Sequence, residues 1–230
     1  LHPISFSTDD YFVNRVDTPK LPDGSYDFDN FDTVDHDALQ KDVMKLISGE
    51  TVEVPEYNFV SGIREYNGKK LKLDEGSILL IEGLHALNPK LLDNIPDAGK
   101  FKIFINTITS ISLDDHNCIP TSDNRLLRRM VRDNRVRGIT PEETIMRWSS
   151  VRRGEDRCIF PFQENADASF NSALIYELPM LKYYAEPLLR RIAPSSPAYT
   201  EAVRLLKFLD YIIALSPDEI AAIPPCLLYT

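Results

Sequence analysis

Six arginines and two aspartates fall within residues 123–138, DNRLLRRMVRDNRVRG, of a 230-residue chain whose formal net charge is −9. At about 100° per residue, Arg125, Arg128, Arg129 and Arg132 share one face of a helix, and Leu126, Leu127, Met130 and Val131 share the other. One face can pack while the other presents guanidiniums. Like charges at i,i+3 and i,i+4 repel by about 0.2–0.5 kcal/mol per pair, so a one-sided accumulation points to an anion that offsets the repulsion. Arg135 and Arg137 follow near the helix end, where cations suit the helix dipole. Planar guanidinium forks match phosphate oxygens better than lysine does. The alternative is a solvated charged face paired with neighbouring Asp and Glu.

A second set of residues carries the opposite charge. The apolar run PISFS (3–7) leads into Thr8, Asp9 and Asp10, and SILLIE (77–82) ends on Glu82 before Gly83. In open parallel sheets, ligands bind beyond the carboxyl ends of the strands. A carboxylate there loses hydration unless a cation meets it, and a magnesium ion prefers such oxygen ligands. Either acid alone could equally cap a turn. Two strands ending this way, beside an arginine cluster, point to a phosphate–metal site.

These residues need a scaffold. Strands are expected at 3–7, 77–82, 101–106 and 211–215, most of them apolar at nearly every position, as in parallel strands buried on both faces. Helices are expected at 36–49, with Gly49 as the stop, at 123–136, and from Pro141, with Thr140 and Glu143 as a capping box. Two more are expected at 178–192, kinked or ended by Pro187, and at 200–209. Alternating strands and helices give an α/β fold with a mainly parallel sheet. Residues 51–73 read as a small antiparallel flap with a turn at Asn67-Gly68.

Bulk properties narrow the class. The chain is 43% hydrophobic and 27% charged, ordinary for a globular protein. Its pI near 5.0 argues against a general nucleic-acid or membrane binder. No apolar run approaches the roughly 20 residues of a membrane helix, and no signal peptide is visible. Cys118, Cys158 and Cys226 form neither a disulfide framework nor a metal knuckle, in keeping with a reducing cytoplasm. His116 and Cys118 lack a partner pair at zinc spacing. The chain opens on Leu1 in what already reads as a strand, so a fragment of a longer protein is expected.

The segments STDDYF, FDNFDTVD, VPEYNFVSGIR, ILLIEGLHAL and DNRLLRRMVRDNRVRG occur in the order seen in the uridine kinase/phosphoribulokinase family, which the chain resembles over about residues 4–170. The resemblance implies a P-loop α/β kinase fold that transfers the γ-phosphate of ATP to the 5′-hydroxyl of a nucleoside, with Mg²⁺. It implies Asp9 as general base and metal support, Glu82 as the second metal acid, and Asp29 as a ribose ligand. Tyr57 and Arg64 then line the acceptor pocket with Arg125. Arg128, Arg129 and Arg132 become catalytic cations, and Arg135 and Arg137 complete a lid spanning about 121–155 over the ATP phosphates. The resemblance implies one truncated domain over 1–230, no nucleic-acid or membrane partner, and an oligomeric state that the sequence leaves open.

Several features depart from the family pattern. No G-x-x-x-x-G-K-[ST] run occurs in the 230 residues, so the backbone cradle for phosphates is absent from them, and no turnover is expected from this chain alone. Gly62 stands where a base-contacting histidine is typical, and Glu143 where a glutamine is expected. The segment 109–120 is longer than in short uridine kinases and resembles a bacterial branch with amino-terminal domains similar to part of threonyl-tRNA synthetase. His85 reads as a packed or loop histidine; Trp148, Phe160, Phe162 and Tyr183 read as core or groove lining. The acids of 23–37 lack the EF-hand order. A phosphoribulokinase-like sugar kinase and a non-catalytic kinase-fold module are the alternatives. An RNA-binding role for the arginine helix is disfavoured by the acidic balance.

Overall fold

The computed structural model describes residues 1–22, 24–108, 112, 115–116, 118–216 and 218. In chain order its elements are β1 (His2–Ser7), α1 (His36–Ile47), β2 (Val52–Glu53), β3 (Glu56–Asn58), β4 (Ile63–Glu65), β5 (Lys70–Leu71), β6 (Ser77–Glu82), β7 (Ile103–Asn106), α2 (Thr121–Arg132), α3 (Pro141–Cys158), β8 (Ala168–Asn171), α4 (Glu177–Leu189) and α5 (Tyr199–Leu209). They form two compact units: Leu1–Phe104 with Val151–Ala168, and Ile105–Ser150 with Ser169–Thr230.

In the first unit β1 and β6 pair in parallel, from His2 opposite Ser77 to Ser7 opposite Glu82. Phe6, Leu79 and Ile81 turn towards a core that also holds Leu39, Val43 and Leu46 of α1, with Val52, Val54 and Leu91. Each fully buried aliphatic side chain there contributes about 1.5–3 kcal/mol. The 39/43/46 spacing is one helical face. Helix α1 starts where the Asp35 carboxylate accepts from the Ala38 amide at 3.1 Å, and Gly49 follows its end at φ +83. On the other face of β6, Ile78 and Leu80 remain partly exposed.

The flap is built as nested antiparallel pairs, β3 with β4 inside β2 with β5. The tight turn is therefore at residues 59–62, closed by Gly62 at φ +73 with its amide donating to Asn58 O. The turn expected at Asn67-Gly68 instead links β4 to β5, which do not pair with each other. There the Gly68 amide donates to Glu53 Oε1.

In the second unit α2 buries Leu126, Leu127, Met130 and Val131 in a core shared with Leu181, Ala185 and Leu189 of α4 and with Ala202 and Leu205 of α5. After Arg132 the chain widens into a π turn, Asp133–Arg137, and stops at Gly138 in the left-handed region, φ +65. The α3 start has the expected reciprocal cap. The Thr140 amide donates to Glu143 Oε2 at 2.9 Å, and the Glu143 amide donates to Thr140 Oγ1 at 3.2 Å. Helix α4 continues two residues past Pro187.

Two fold expectations are corrected. Residues 211–215 form no strand: Lys182 Nζ draws in the carbonyls of Leu209 and Ile212 as the chain leaves α5, and Tyr211 and Ile213 are exposed. The mainly parallel sheet is smaller than expected. Among the described residues every sheet has two strands: β1–β6 is parallel and covered on one face, and β7 and β8 run the same way, Lys102 O accepting from Ala168 N and Asn106 O from Ser172 N.

Candidate active site

The register of β1 and β6 brings both strands to one carboxyl edge, Ser7 beside Glu82. The Thr8 amide donates to the Glu82 carbonyl at 2.8 Å. Thr8 then lies against Gly83 so closely that a Cβ there would fall 1.7 Å from Thr8 Oγ1, and Gly83 adopts φ +149. Glycine is required for this approach. Thr8 Oγ1 itself is buried and has no hydrogen-bond partner among the described residues, an orphaned oxygen at the edge that carries the acids.

Asp9 and Asp10 open a 3-10 turn, Asp9–Tyr11. Tyr11 pins this turn by stacking on Phe6 at 5.2 Å and donating to Asp42 Oδ2 at 3.0 Å. Burial pushes the Asp10 carboxyl above its ordinary range; Lys69 pulls it down, while Glu56 and Glu82 add to the rise. Asp10 lines a cavity of about 90 Å³ together with Ser5, Ser7 and Lys69. Asp9 is the acid of the Asp-Asp doublet to which the family resemblance points; the structure adds Asp10, at the wall of that cavity. Among the described residues no three His, Cys, Asp or Glu side chains converge on a metal position. Asp9 and Glu82 with the Thr8 hydroxyl nonetheless make an oxygen-only edge. That suits Mg²⁺, which takes one or two carboxylates and completes its shell with water and phosphate.

Of the residues assigned to the acceptor side, Asp29, Tyr57 and Arg64 lie in the first unit and Arg125 in the second. Tyr57 is opposite Arg64 across the β3–β4 pair. It is buried edge-on against Phe12 and Phe59, with centroids 5.4 and 5.2 Å away. Burial raises its phenol, and Arg15 opposes that. Arg64 Nη1 pairs with Asp35 Oδ2 at 3.0 Å. Arg15, unmarked in the sequence reading, lies across the flap turn and donates to Phe59 O at 2.6 Å. A Cβ on Gly62 would fall 2.7 Å from its Nε. The position expected to carry a base-contacting side chain is thus covered by Arg15.

Asp29 sits against Gly154 of α3, where a Cβ would lie 2.5 Å from Asp29 Cβ. Beside it Asp27 is buried and receives Arg157 Nη2 at 2.9 Å and Asn30 Nδ2 at 3.2 Å. His85 is buried edge-on to Phe31, and neither ring nitrogen has a hydrogen-bond partner among the described residues. Burial lowers its pKa to about 4, with His36 and Arg157 adding to the effect; the Asn30 backbone opposes it without hydrogen-bond geometry. This is the packed histidine that the sequence suggests.

The arginines lie in the second unit, and they have acid partners. Arg128 Nη1 lies 3.1 Å from Glu177 Oε1, without hydrogen-bond alignment, and donates to Thr107 Oγ1 at 3.2 Å. Buried Glu177 also accepts from Asn124 Nδ2 at 3.3 Å. Arg129, Arg132 and Arg137 all approach Asp133. Arg135 lies over the Tyr184 ring at 5.8 Å, and Arg125 is half-buried on α2. Local pairing, the alternative weighed from the sequence, is therefore real; it holds the guanidiniums in defined positions. Trp148 packs on the second core, whereas Tyr183 is exposed beside Tyr184. Phe160 and Phe162 are half-exposed in a 3-10 segment, Phe160–Asn165. Half of 109–120 and the tail from 219 lie outside the described residues.

Residues 9–176 match the Phosphoribulokinase / Uridine kinase family. A uridine kinase of Staphylococcus carnosus (strain TM300) is 30% identical over 134 residues, 58% of this chain and 56% of the relative. Uridine kinases of Staphylococcus aureus strains JH9 and Newman match to the same extent. The chain thus spans just over half the length of the curated relatives it matches. No helix among the described residues is long and apolar enough to cross a membrane.

Proposed function

Because the chain belongs to the phosphoribulokinase/uridine kinase family, we propose that it carries the acceptor-side and metal-side residues of an ATP-dependent kinase acting on the 5′-hydroxyl of a nucleoside. The observation that carries this reading is the shared carboxyl edge of β1 and β6, where Asp9 and Glu82 emerge around the Thr8–Gly83 contact. Phosphoryl transfer demands little covalent chemistry and much positioning and charge stabilisation. Asp9 accepts the proton of the attacking hydroxyl. Asp9 and Glu82 would hold Mg²⁺, which supplies charge neutralisation on the phosphate oxygens. Asp29 binds the ribose hydroxyls, Tyr57 lines the base pocket within its aromatic cluster, and Arg64 and Arg125 orient the acceptor. Arg128, Arg129 and Arg132 offset charge on the transferring phosphoryl group, and Arg135 and Arg137 complete the ATP lid. Closing such a lid excludes water that would otherwise hydrolyse ATP.

One observation favours a phosphorylated sugar as the acceptor: the Arg15 guanidinium lies beside Tyr57 and over Gly62, a cation where a neutral base contact is expected. Incubation of the intact gene product with ATP and a panel of uridine, cytidine and pentose phosphates separates the two. Phosphorylation of a nucleoside, lowered about 10³-fold or more by Asp9→Asn, is the expected result. Turnover of pentose phosphates alone selects the second reading, and no turnover of any acceptor overturns both. The 230 residues by themselves, without a G-x-x-x-x-G-K-[ST] run, are expected to give none.

A further inference from the structure

Asp133 stands at the junction of α2 and the π turn with its side chain 2% exposed. Three guanidiniums meet its carboxylate. Arg132 donates through Nε and Nη2 to Oδ1 at 3.0 and 2.9 Å. Arg129 Nε is 3.3 Å from Oδ2, and Arg137 Nη1 is 3.5 Å from Oδ1. The backbone fixes the same residue from the other side, since the amides of Gly138 and Ile139 both donate to the Asp133 carbonyl. The π turn and its left-handed glycine bring Arg137 back towards the carboxylate, and such turns often mark functional sites. The three arginine side chains are 22–30% exposed, so each is held by the carboxylate and still partly in contact with solvent.

We propose that Asp133 is a positioning residue that gathers Arg129, Arg132 and Arg137 into one preorganised fork for a polyphosphate. This rests on the lid reading above and adds a residue that the reading does not assign. The logic is entropic. A guanidinium already ordered by a buried carboxylate loses less freedom when an anion binds, and without that carboxylate the three cations repel one another. Removing Asp133 has two opposed effects. It raises the local charge by one, which by Coulomb attraction alone tightens anion binding, and it disorders the fork, which weakens binding. The sign of the change therefore distinguishes positioning from mere charge.

The test is calorimetric titration of inorganic tripolyphosphate into the 230-residue chain at 15 °C. Wild type, Asp133→Asn, Asp133→Glu and Glu142→Gln are compared, each verified as folded by circular dichroism well below its unfolding temperature. Glu142→Gln adds the same unit of charge outside the fork. The expected result is binding about tenfold weaker in Asp133→Asn, partial recovery in Asp133→Glu, and unchanged or slightly tighter binding in Glu142→Gln. Binding by Asp133→Asn as tight as or tighter than wild type, or no recovery in Asp133→Glu, overturns the role of Asp133 and leaves the lid reading standing. Failure of wild type to bind overturns the lid reading and this inference with it. If Asp133→Asn does not fold, Arg132→Lys and Arg137→Lys decide: they keep the charge and lose the planar fork, so weakened binding supports the proposal and unchanged binding overturns it.

Discussion

A Cβ on residue 83 would stand 1.7 Å from Thr8 Oγ1, and the φ of +149 disfavours any side chain there. Gly83→Ala must separate the ends of β1 and β6, and is expected to cost about 2–4 kcal/mol in urea unfolding. A loss below about 0.5 kcal/mol would mean that the two strand ends do not meet as described. His85 gives a pH test. Its folded pKa, lowered to about 4 by burial, lies below the ordinary histidine value near 6.5. Between these values the unfolded chain binds the extra proton, so stability falls as pH drops from about 6.5 to about 4, by at most roughly 3 kcal/mol. His85→Phe should flatten that part of the profile in unfolding curves recorded across the range; an unaltered slope would place the effect elsewhere. The acids at the carboxyl edge of β1 and β6 were legible because their types stand where apolar runs end. Arg15 over Gly62, Gly154 against Asp29 and the arginines around Asp133 were not, since tertiary packing or the geometry of a π turn creates those proximities.

At the scale of elements, periodicity read the helices well, because α1, α2 and α5 each bury a single face at helical spacing. The α3 start was legible to the residue through its cap. The backbone and hydroxyl of Thr140 hold the Glu143 carboxyl below its ordinary range, which gives Glu143 a capping role. Thr140→Ala is expected to cost about 1 kcal/mol in thermal unfolding, and Glu143→Gln less, because an amide still accepts a hydrogen bond from the Thr140 amide. Equal and negligible losses for both would remove the cap from the account. Strands were harder. YIIAL has strand composition, yet Lys182 captures the carbonyls around it. Asn67-Gly68 has hairpin chemistry, yet the nested pairing puts the tight turn at 59–62. Composition states what a segment can do; the competing partner decides.

At the scale of the whole molecule, the family resemblance implies one truncated domain over residues 1–230. Among the described residues the chain closes two cores. One draws its buried residues from Phe6 to Leu91, the other from Ile119 to Leu209, so each unit closes a core with its own helices. Cores with separate membership are expected to melt as separate cooperative units. Leu39 and Leu205 are fully buried, one in each core, and truncation of either to alanine costs about 2–5 kcal/mol. Scanning calorimetry of the wild-type chain should resolve two transitions. Leu39→Ala should lower one and leave the other within a degree or two, and Leu205→Ala should do the reverse. A single transition moved equally by both substitutions would show that the two cores fold as one. ATP with Mg²⁺ should then raise the transition that Leu205→Ala lowers, because the arginines assigned to the phosphates belong to that unit and a ligand stabilises the unit that binds it.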